Sequence, residues 1–230
     1  MNEAANEIRP KQVSDAIQST VPAKGTRERI LDTAEQLFAL EGPAAVTLRS
    51  IAAAAQVNVA AVNYHFGSKD KLFEEMFLRR IAPLNEQRLA MLAECAETAG
   101  GAPNLEAIIT AYVMPALHLT DRASGSARAI VVQYSLGRVL AMPEVDTMLV
   151  RYYDRVRTEF VAALQRAAPR LAAHEVVWRY YWMGGSVMVS LAVPPGMVGP
   201  AGGTGQARAR RGSSGIAGEL IAFLVQGFGS

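Results

Sequence analysis

The chain has 230 residues, one cysteine (Cys95) and a formal net charge of +2, and half of its residues are hydrophobic. This length suffices for one large domain or two modest ones, and the hydrophobic fraction excludes an intrinsically disordered chain. One cysteine cannot form an internal disulfide, and the first 25 residues mix charges with no apolar segment, so we expect a cytoplasmic protein without a signal peptide. The most apolar run, residues 180–195, is interrupted by glycines and is shorter than the ~20 residues that span a bilayer, so no membrane partner is predicted.

The first third of the chain shows helix signals in close succession. Residues 1–24 are polar with little periodicity, which predicts a flexible N-terminal arm. Thr26 is predicted to cap a first helix, whose apolar residues recur at helical spacing until the Gly-Pro pair at residues 42–43. Thr47 is predicted to cap a second, short helix.

The third predicted helix is short and has an unusual outer face. Asn58 can cap it, Gly67 can end it, and Val59, Val62 and Phe66 share one side. The other side carries Ala60, Ala61, Asn63, Tyr64 and His65. Because so short a helix is not stable alone in water, it must be held by its neighbours, and we expect its outer face to have a function.

The rest of the chain predicts further helices and one connection. A fourth helix capped by Ser68 should bury Leu72, Phe73, Met76 and Phe77 and continue to Glu97, with a kink or break at Pro83. Later helices are predicted at residues 105–119, 125–140, 143–168, 172–192 and 216–228, the last with Leu220, Phe223, Leu224 and Phe228 on one face, and a flexible Gly/Pro-rich loop at 193–215. No stretch alternates at period two, so the predicted fold class is all-α.

Two short helices joined by a tight turn predict a helix-turn-helix, in which the second helix lies in the major groove of DNA. Asn63 can bond adenine through two hydrogen bonds, and the small alanines let the helix approach the base edges. The predicted DNA-binding residues are Thr47, Arg49, Asn58, Ala60, Ala61, Asn63, Tyr64, His65 and Lys69. The alternative for this set is an ordinary solvated helix face.

These residues also carry a family resemblance. The runs TLRSIA (47–52), AQVN (55–58) and NYHFGSKDKLF (63–73) resemble the DNA-binding domain of TetR-type transcriptional regulators of the AcrR-like kind. Gln56 stands where the family's turn usually has Gly, and Asn63 where it usually has Tyr. The resemblance implies a repressor that binds a palindromic operator as a homodimer through its last two helices and that a small effector releases.

The sequence AAVNYHFGSK at residues 60–69 further resembles a branch of the family that includes regulators of fatty-acid metabolism. This resemblance implies a fatty acid or acyl-CoA as effector. The expected organisation is an arm at 1–24, a three-helix DNA-binding domain at 25–70 and a helical effector-binding and dimerisation domain at 71–230. The pair Gly184-Gly185 within a helix independently predicts a close approach of another helix.

Aromatic residues in the second half predict a ligand pocket, because such pockets combine apolar walls with a few polar groups. The predicted ligand-binding residues are Tyr112, His118, Tyr134, Arg138, Trp178 and Trp182. Plain core packing is the alternative for each of them, and Arg138 has the further alternative of an ion pair with Glu144 or Asp146.

An enzyme is not predicted. The three histidines and the cysteine are scattered without metal-ligand spacing, and no glycine-rich phosphate loop follows a strand, so neither a metal nor a cofactor is expected. The remaining alternative is a helical protein-interaction module without sequence-specific DNA binding.

Overall fold

Helices account for nearly all of the residues that the computed structural model describes, which are 25–98, 104–122, 130–132, 147–192 and 212–229. They are α1 (Thr26–Ala45), α2 (Leu48–Ala54), α3 (Val59–Phe66), α4 (Lys69–Thr98), α5 (Leu105–Arg122), α6 (Thr147–Ala167), α7 (Ala173–Ala192) and α8 (Gly212–Gly229). Residues 130–132 are also helical, and these ranges contain no strand. The predicted all-α fold is therefore confirmed.

Some predictions fall outside those ranges. They are the N-terminal arm at 1–24, most of the helix predicted at 125–140, the start of the helix predicted at 143–168, and residues 193–211 of the predicted loop.

Two helix ends differ from the prediction. Thr26 is the first residue of α1 and not its cap: Gly25 holds the cap position, without a side-chain hydrogen bond, and its carbonyl accepts from the N–H of Arg29 at 3.0 Å. Helix α8 begins at Gly212, four residues before the predicted start, so residues 212–215 are helical and not part of a loop. The glycines and serines of this segment are typical of a loop, but here they form the first turn of α8.

Other signals hold. Gly42, with a φ of 80°, interrupts the helical backbone of α1 where the Gly-Pro pair predicted an end. Helix α4 contains Pro83 but runs on as one element of 30 residues, so the predicted break does not occur. Within the described ranges, no helix is long and apolar enough to cross a membrane.

The buried side chains form two clusters that meet along α4. The N-terminal cluster joins α1, α2 and α3 to the start of α4, where Phe38 and Phe73 meet edge to face at 5.0 Å between ring centres. The C-terminal cluster begins at Phe77 and takes in α5 to α8. Helix α4 thus changes from one cluster to the other between Met76 and Phe77. The segment 130–132 does likewise, since Ile130 belongs to the first cluster and its two neighbours to the second.

Ion pairs also tie α1 to α4. Arg79 donates to Asp32 at 2.7 Å, and the nearly buried Glu35 pairs with Arg80. Arg27, at the start of α1, pairs with Glu75. Because these pairs lie beside the change between the clusters, they hold the N-terminal helices in a definite orientation on α4.

One prediction about α8 is wrong. The sequence predicts Leu220, Phe223, Leu224 and Phe228 on one face, but Phe223 is 65% exposed whereas Leu224 and Phe228 are buried. The buried face of α8 instead follows Ala217, Leu224 and Phe228, which are spaced by seven and four residues.

Candidate functional site

Local hydrogen bonds fix both helices of the helix-turn-helix. Thr47 and Ser50 form a reciprocal capping box at the start of α2: the Ser50 N–H donates to Thr47 Oγ1 at 3.0 Å, and the Thr47 N–H donates to Ser50 Oγ at 2.9 Å. Asn58 caps α3, because its Oδ1 accepts from the N–H of Ala60 at 2.9 Å. Gly67 ends α3 with a φ of 73°. The predicted caps at Thr47, Asn58 and Gly67 are confirmed.

The turn between α2 and α3 uses a residue in an unfavourable conformation. Gln56 has a φ of 54°, in the left-handed region that glycine adopts without steric cost. Its N–H donates to the carbonyl of Ala53 at 3.2 Å, and the next N–H, of Val57, donates to that of Ala52 at 3.0 Å. The turn therefore keeps its backbone hydrogen bonds without glycine, at a conformational cost in the folded state.

Helix α3 buries one side and exposes the other. Val62 and Phe66 are buried in the N-terminal cluster. Ala60, Asn63 and Tyr64 are exposed, with 86% of Tyr64 accessible to solvent. Ala61 and His65 are half-buried, and the His65 ring lies edge to face against Tyr64 at 5.3 Å. The outer face thus presents small groups in the first turn of the helix, followed by one amide and one aromatic hydroxyl.

Basic side chains border this face. Arg49 is exposed on α2. Lys69 lies in the first turn of α4, with its ammonium 5.3 Å from the centre of the Phe73 ring. Ser68 Oγ accepts from the N–H of Lys71 at 3.2 Å and so caps this end of α4, as predicted. Neither Arg49 nor Lys69 forms an ion pair with another residue of the described ranges.

The predicted ligand-binding residues do not share one place. Tyr112 is buried in the C-terminal cluster, and its ring meets those of Phe160 and Tyr180 edge to face at 5.2 and 5.5 Å. His118 is half-buried on α5. Tyr134 and Arg138 lie outside the described residues.

The two tryptophans predicted to bind a ligand lie on the surface of the single chain. Trp178 and Trp182 are 58% and 63% exposed and stack on each other at 6.5 Å on the outer side of α7. They therefore line no interior cavity. Residues four apart share a helix face, and here that face is turned away from the core.

The sequence reasoning missed Arg88, which is 4% exposed inside the C-terminal half. Its Nε donates to the carbonyl of Tyr112 at 2.8 Å, and its guanidinium lies 3.9 Å from the centre of the Tyr112 ring. The sequence contains a signal for this burial, because Arg88 lies at helical spacing from Ile81 and Leu84, which form the buried face of α4. A charged residue on an apolar stripe indicates an unusual interior.

A partly open pocket of about 270 Å³ lies between α4, α5 and α6, and its walls include Leu92, Ile108 and Glu159. Arg88 is not among the residues that line it. Burial, followed by the neighbouring Tyr112, raises the pKa of Tyr180 well above its ordinary value, so that its hydroxyl stays protonated. The described residues contain no cluster of three or more potential metal ligands.

Capped helices at this spacing, an exposed second helix and flanking cations define the class of helix-turn-helix regulatory proteins. The comparison with protein families agrees. Residues 30–76 match the family described as "Bacterial regulatory proteins, tetR family", and residues 110–227 match "Tetracyclin repressor-like, C-terminal domain". The chain belongs to the tetR family.

Similar curated proteins match over a short part of the chain. The "Probable acrEF/envCD operon repressor" of Escherichia coli (strain K12) is 42% identical over 55 residues, which are 24% of this chain and 25% of that protein. The "HTH-type transcriptional repressor Rv3405c" of Mycobacterium tuberculosis is 54% identical over 43 residues, 19% of this chain and 23% of that protein. The chain thus spans about a quarter of the length of these relatives.

Solved structures share the fold over most of the chain. The ketosteroid transcriptional regulator KstR2 of Mycobacterium tuberculosis has a TM-score of 0.57 at 18% identity, covering 89% of this chain and 95% of its own. Salmonella enterica GusR has a TM-score of 0.59 at 23% identity, covering 91% and 97%. The likeness therefore extends beyond the helix-turn-helix to the C-terminal helices, as a likeness of fold.

Proposed function

We propose that the protein is a transcriptional repressor that binds operator DNA as a homodimer and is released by a small apolar effector. The observation that carries the proposal is the outer face of α3. It is exposed, capped at both ends, free of bulk at Ala60 and Ala61, and bordered by Arg49 and Lys69.

Each exposed group has a distinct part in this proposal. Asn63 reads a base, since an amide matches the donor and acceptor that adenine presents in the major groove. Tyr64, His65, Lys69 and the capped start of α4 hold phosphates, which sets the register of the helix on the duplex. Thr47 and Asn58 act mainly through their caps, because their side-chain oxygens already accept backbone hydrogen bonds.

The dimer is supported by an apolar stripe on the last two described helices. Trp178, Tyr181, Trp182 and Val189 are all more than half exposed on one side of α7, and Phe223 is exposed on α8. Monomeric proteins seldom expose so many large apolar side chains together. We propose that a second copy covers this stripe; dimers of helix-turn-helix proteins hold their two recognition helices one turn of DNA apart, at roughly 34–36 Å.

Gly185 lies within this stripe, whereas Gly184 does not. A Cβ atom at Gly185 would meet nothing within 4 Å, so its open side faces the proposed partner. A Cβ atom at Gly184 would lie 3.3 Å from the Tyr112 hydroxyl, inside the same chain. Only Gly185 therefore supports the close helix approach that the glycine pair predicts.

Release by an effector follows from the sharing of α4 between the two clusters. A ligand that binds more tightly when α4 is tilted shifts the population toward that state, and the attached α3 helices then no longer match the half-site spacing. The ion pairs of α1 with α4 transmit the tilt.

The test is base reading by Asn63. An operator is first selected by incubating the purified protein with fragmented genomic DNA at low salt. Asn63→Ala should then weaken binding to this operator by about 1–3 kcal/mol in a fluorescence anisotropy titration and leave binding to unrelated duplex unchanged. Gln87→Ala, which removes an exposed amide from the middle of α4, is the matched control.

Two results would contradict the proposal. Equal losses on operator and unrelated duplex would show that Asn63 reads no base. Failure of the unchanged protein to bind any duplex at low salt would reject the repressor and favour the helical protein-interaction module.

A further inference from the structure

A buried carboxylate of α1 lies between two consecutive arginines of α4. Glu35 pairs directly with Arg80 through Oε2, and its other oxygen, Oε1, is 3.7 Å from an Nη atom of Arg79. Only 4% of the Glu35 side chain is accessible, whereas the side chains of Arg79 and Arg80 are 35% and 29% accessible. A buried charge needs an opposite charge beside it, so the burial of Glu35 depends on these two cations.

The hydrogen bonding of this group is incomplete. Glu35 Oε1 and Arg80 Nε are buried, and neither has a hydrogen-bond partner within the part of the chain that the structure describes. Buried polar atoms are nearly always hydrogen-bonded, as is the Nε of the buried Arg88, which donates to the carbonyl of Tyr112 at 2.8 Å. The 3.7 Å between Oε1 and Arg79 is close enough for an ion pair but too long for a hydrogen bond. The buried carboxylate therefore keeps one unused acceptor atom beside a second cation.

The positions of the two arginines on α4 make them alternatives. Consecutive residues of an α-helix point about 100° apart, so Arg79 and Arg80 approach Glu35 from two flanks of the helix. A rotation of α4 about its axis brings one guanidinium closer to Glu35 and moves the other away. A shift of less than about 1 Å would bring Arg79 within hydrogen-bond distance of Oε1. Arg79 already donates to Asp32 at 2.7 Å, which keeps it next to that oxygen.

The backbone of α4 is also interrupted at this point. The contacts with Glu35 lie just after the change from the N-terminal to the C-terminal cluster, between Met76 and Phe77. Pro83 follows in the next turn, and because it lacks an N–H, it cannot donate to the carbonyl of Arg79. A helix that lacks one internal hydrogen bond bends or twists there more readily. A small rotation of the first half of α4 against the second is therefore favoured at this point.

We propose that Glu35 forms a two-position lock between the DNA-binding helices and α4. In the position of this structure Arg80 holds the carboxylate. In the second position α4 is rotated, Arg79 bonds Oε1, and Arg80 withdraws. This inference rests on the proposed function and names the residues that regulate it: α3 packs in one cluster with α1, so each position presents α3 at a different angle, and the operator selects one of them.

The experiment removes each arginine in turn and measures affinity for the selected operator by fluorescence anisotropy on the full chain. Arg80→Met should favour the second position, and Arg79→Met the first, since Met keeps most of the apolar stem and loses the charge. The two affinities should therefore lie on opposite sides of that of the unchanged protein and differ by about fivefold or more. Arg170→Met, which removes an exposed arginine from the turn after α6, controls for the loss of charge.

A static ion pair gives a different result. If Arg79 and Arg80 only hold α1 against α4, both substitutions lower operator affinity or neither changes it, and either outcome overturns the lock. Binding to an unrelated duplex should stay at the level of the Arg170→Met control. A loss on that duplex would show that the arginine binds phosphate, and would overturn the lock as well.

Thermal unfolding without DNA provides a second, separate measurement. If each arginine can replace the other at Glu35, the double substitution should lower the melting temperature by more than the sum of the two single shifts. Additive shifts would overturn the exchange. This measurement still tests the lock if the unchanged protein binds no duplex, a result that rejects the repressor proposal alone. If Arg80→Met does not fold, Arg80→Lys replaces it, because Lys keeps the charge without the fork. An operator affinity that does not change in the direction opposite to that of Arg79→Met would again overturn the lock.

Discussion

Helices α3 and α7 both expose side chains toward solvent, but the two exposed faces differ in kind. On α3 the face consists of small groups, an amide and one hydroxyl, with cations at its border. On α7 it consists of two indoles, a phenol ring and a valine. A helix that enters a DNA groove needs little bulk and many hydrogen-bonding groups, whereas a helix that packs against protein needs large apolar area. The chemistry of an exposed face therefore indicates its partner.

The largest expected effect is on stability, and it distinguishes a buried packing residue from an exposed DNA-contact residue. Phe160→Ala should lower the free energy of unfolding by about 3–5 kcal/mol, because the ring is fully buried in the C-terminal cluster. Tyr64→Ala should change it by no more than about 0.5 kcal/mol, since the side chain is exposed, yet should weaken DNA binding. Urea denaturation and anisotropy measure the two effects, and a large stability loss for Tyr64→Ala would mean that α3 does not present this residue to DNA.

The second prediction tests whether the apolar face of α7 forms the homodimer interface. Trp182→Ala should weaken the homodimer by about 2 kcal/mol or more, as aromatic residues at the centre of an interface do. Sedimentation velocity at several concentrations measures this. Leu40→Ala removes another exposed large apolar side chain, from α1, and should leave the dimer unchanged. Equal effects of the two substitutions would place the interface elsewhere.

Electrostatic contacts at the border of α3 are expected to contribute less. Lys69→Ala should weaken binding to every duplex alike and reduce the slope of log affinity against log salt by about 1, because one phosphate contact is lost. Arg170→Ala, which removes the same charge from the turn between α6 and α7, is the control. An unchanged slope for Lys69→Ala would remove this residue from the phosphate contacts.

The smallest predicted effect concerns the turn before α3. Gln56→Gly should stabilise the protein by about 0.5–1 kcal/mol, because glycine adopts the φ of 54° without steric strain. Gly67→Ala should do the opposite at a φ of 73°, by about 1 kcal/mol. Thermal unfolding compares the pair. A destabilising Gln56→Gly would show that the Gln56 side chain contributes contacts that outweigh its backbone strain.

The difference between the two regions also explains what could be predicted. In the helix-turn-helix, the signals are local: Thr47, Asn58 and Gly67 act on backbone groups within a few residues, so their roles follow from the sequence. The faces of α7 depend on where α5 and α8 pack. The sequence predicts Trp178 and Trp182 to bind a ligand, with core packing as the alternative, and only the tertiary arrangement shows which side of the helix meets the core.

Arg88 was missed for a related reason. A single arginine in a long amphipathic helix is usually solvated along its stem and head. Its burial depends on Tyr112, which lies 24 residues further along the chain and supplies both a carbonyl and a ring face. Such a contact has no local signature beyond the position of Arg88 on the apolar stripe.

Gly184 and Gly185 are neighbours in sequence on α7, but a Cβ atom at each would have different surroundings. The first borders the Tyr112 hydroxyl, and the second lies among the exposed indoles. A side chain added at position 184 would meet the Tyr112 hydroxyl in the interior, and one added at position 185 would extend beside the exposed indoles. Substitutions at these two adjacent positions therefore perturb the interior and the surface of α7 separately.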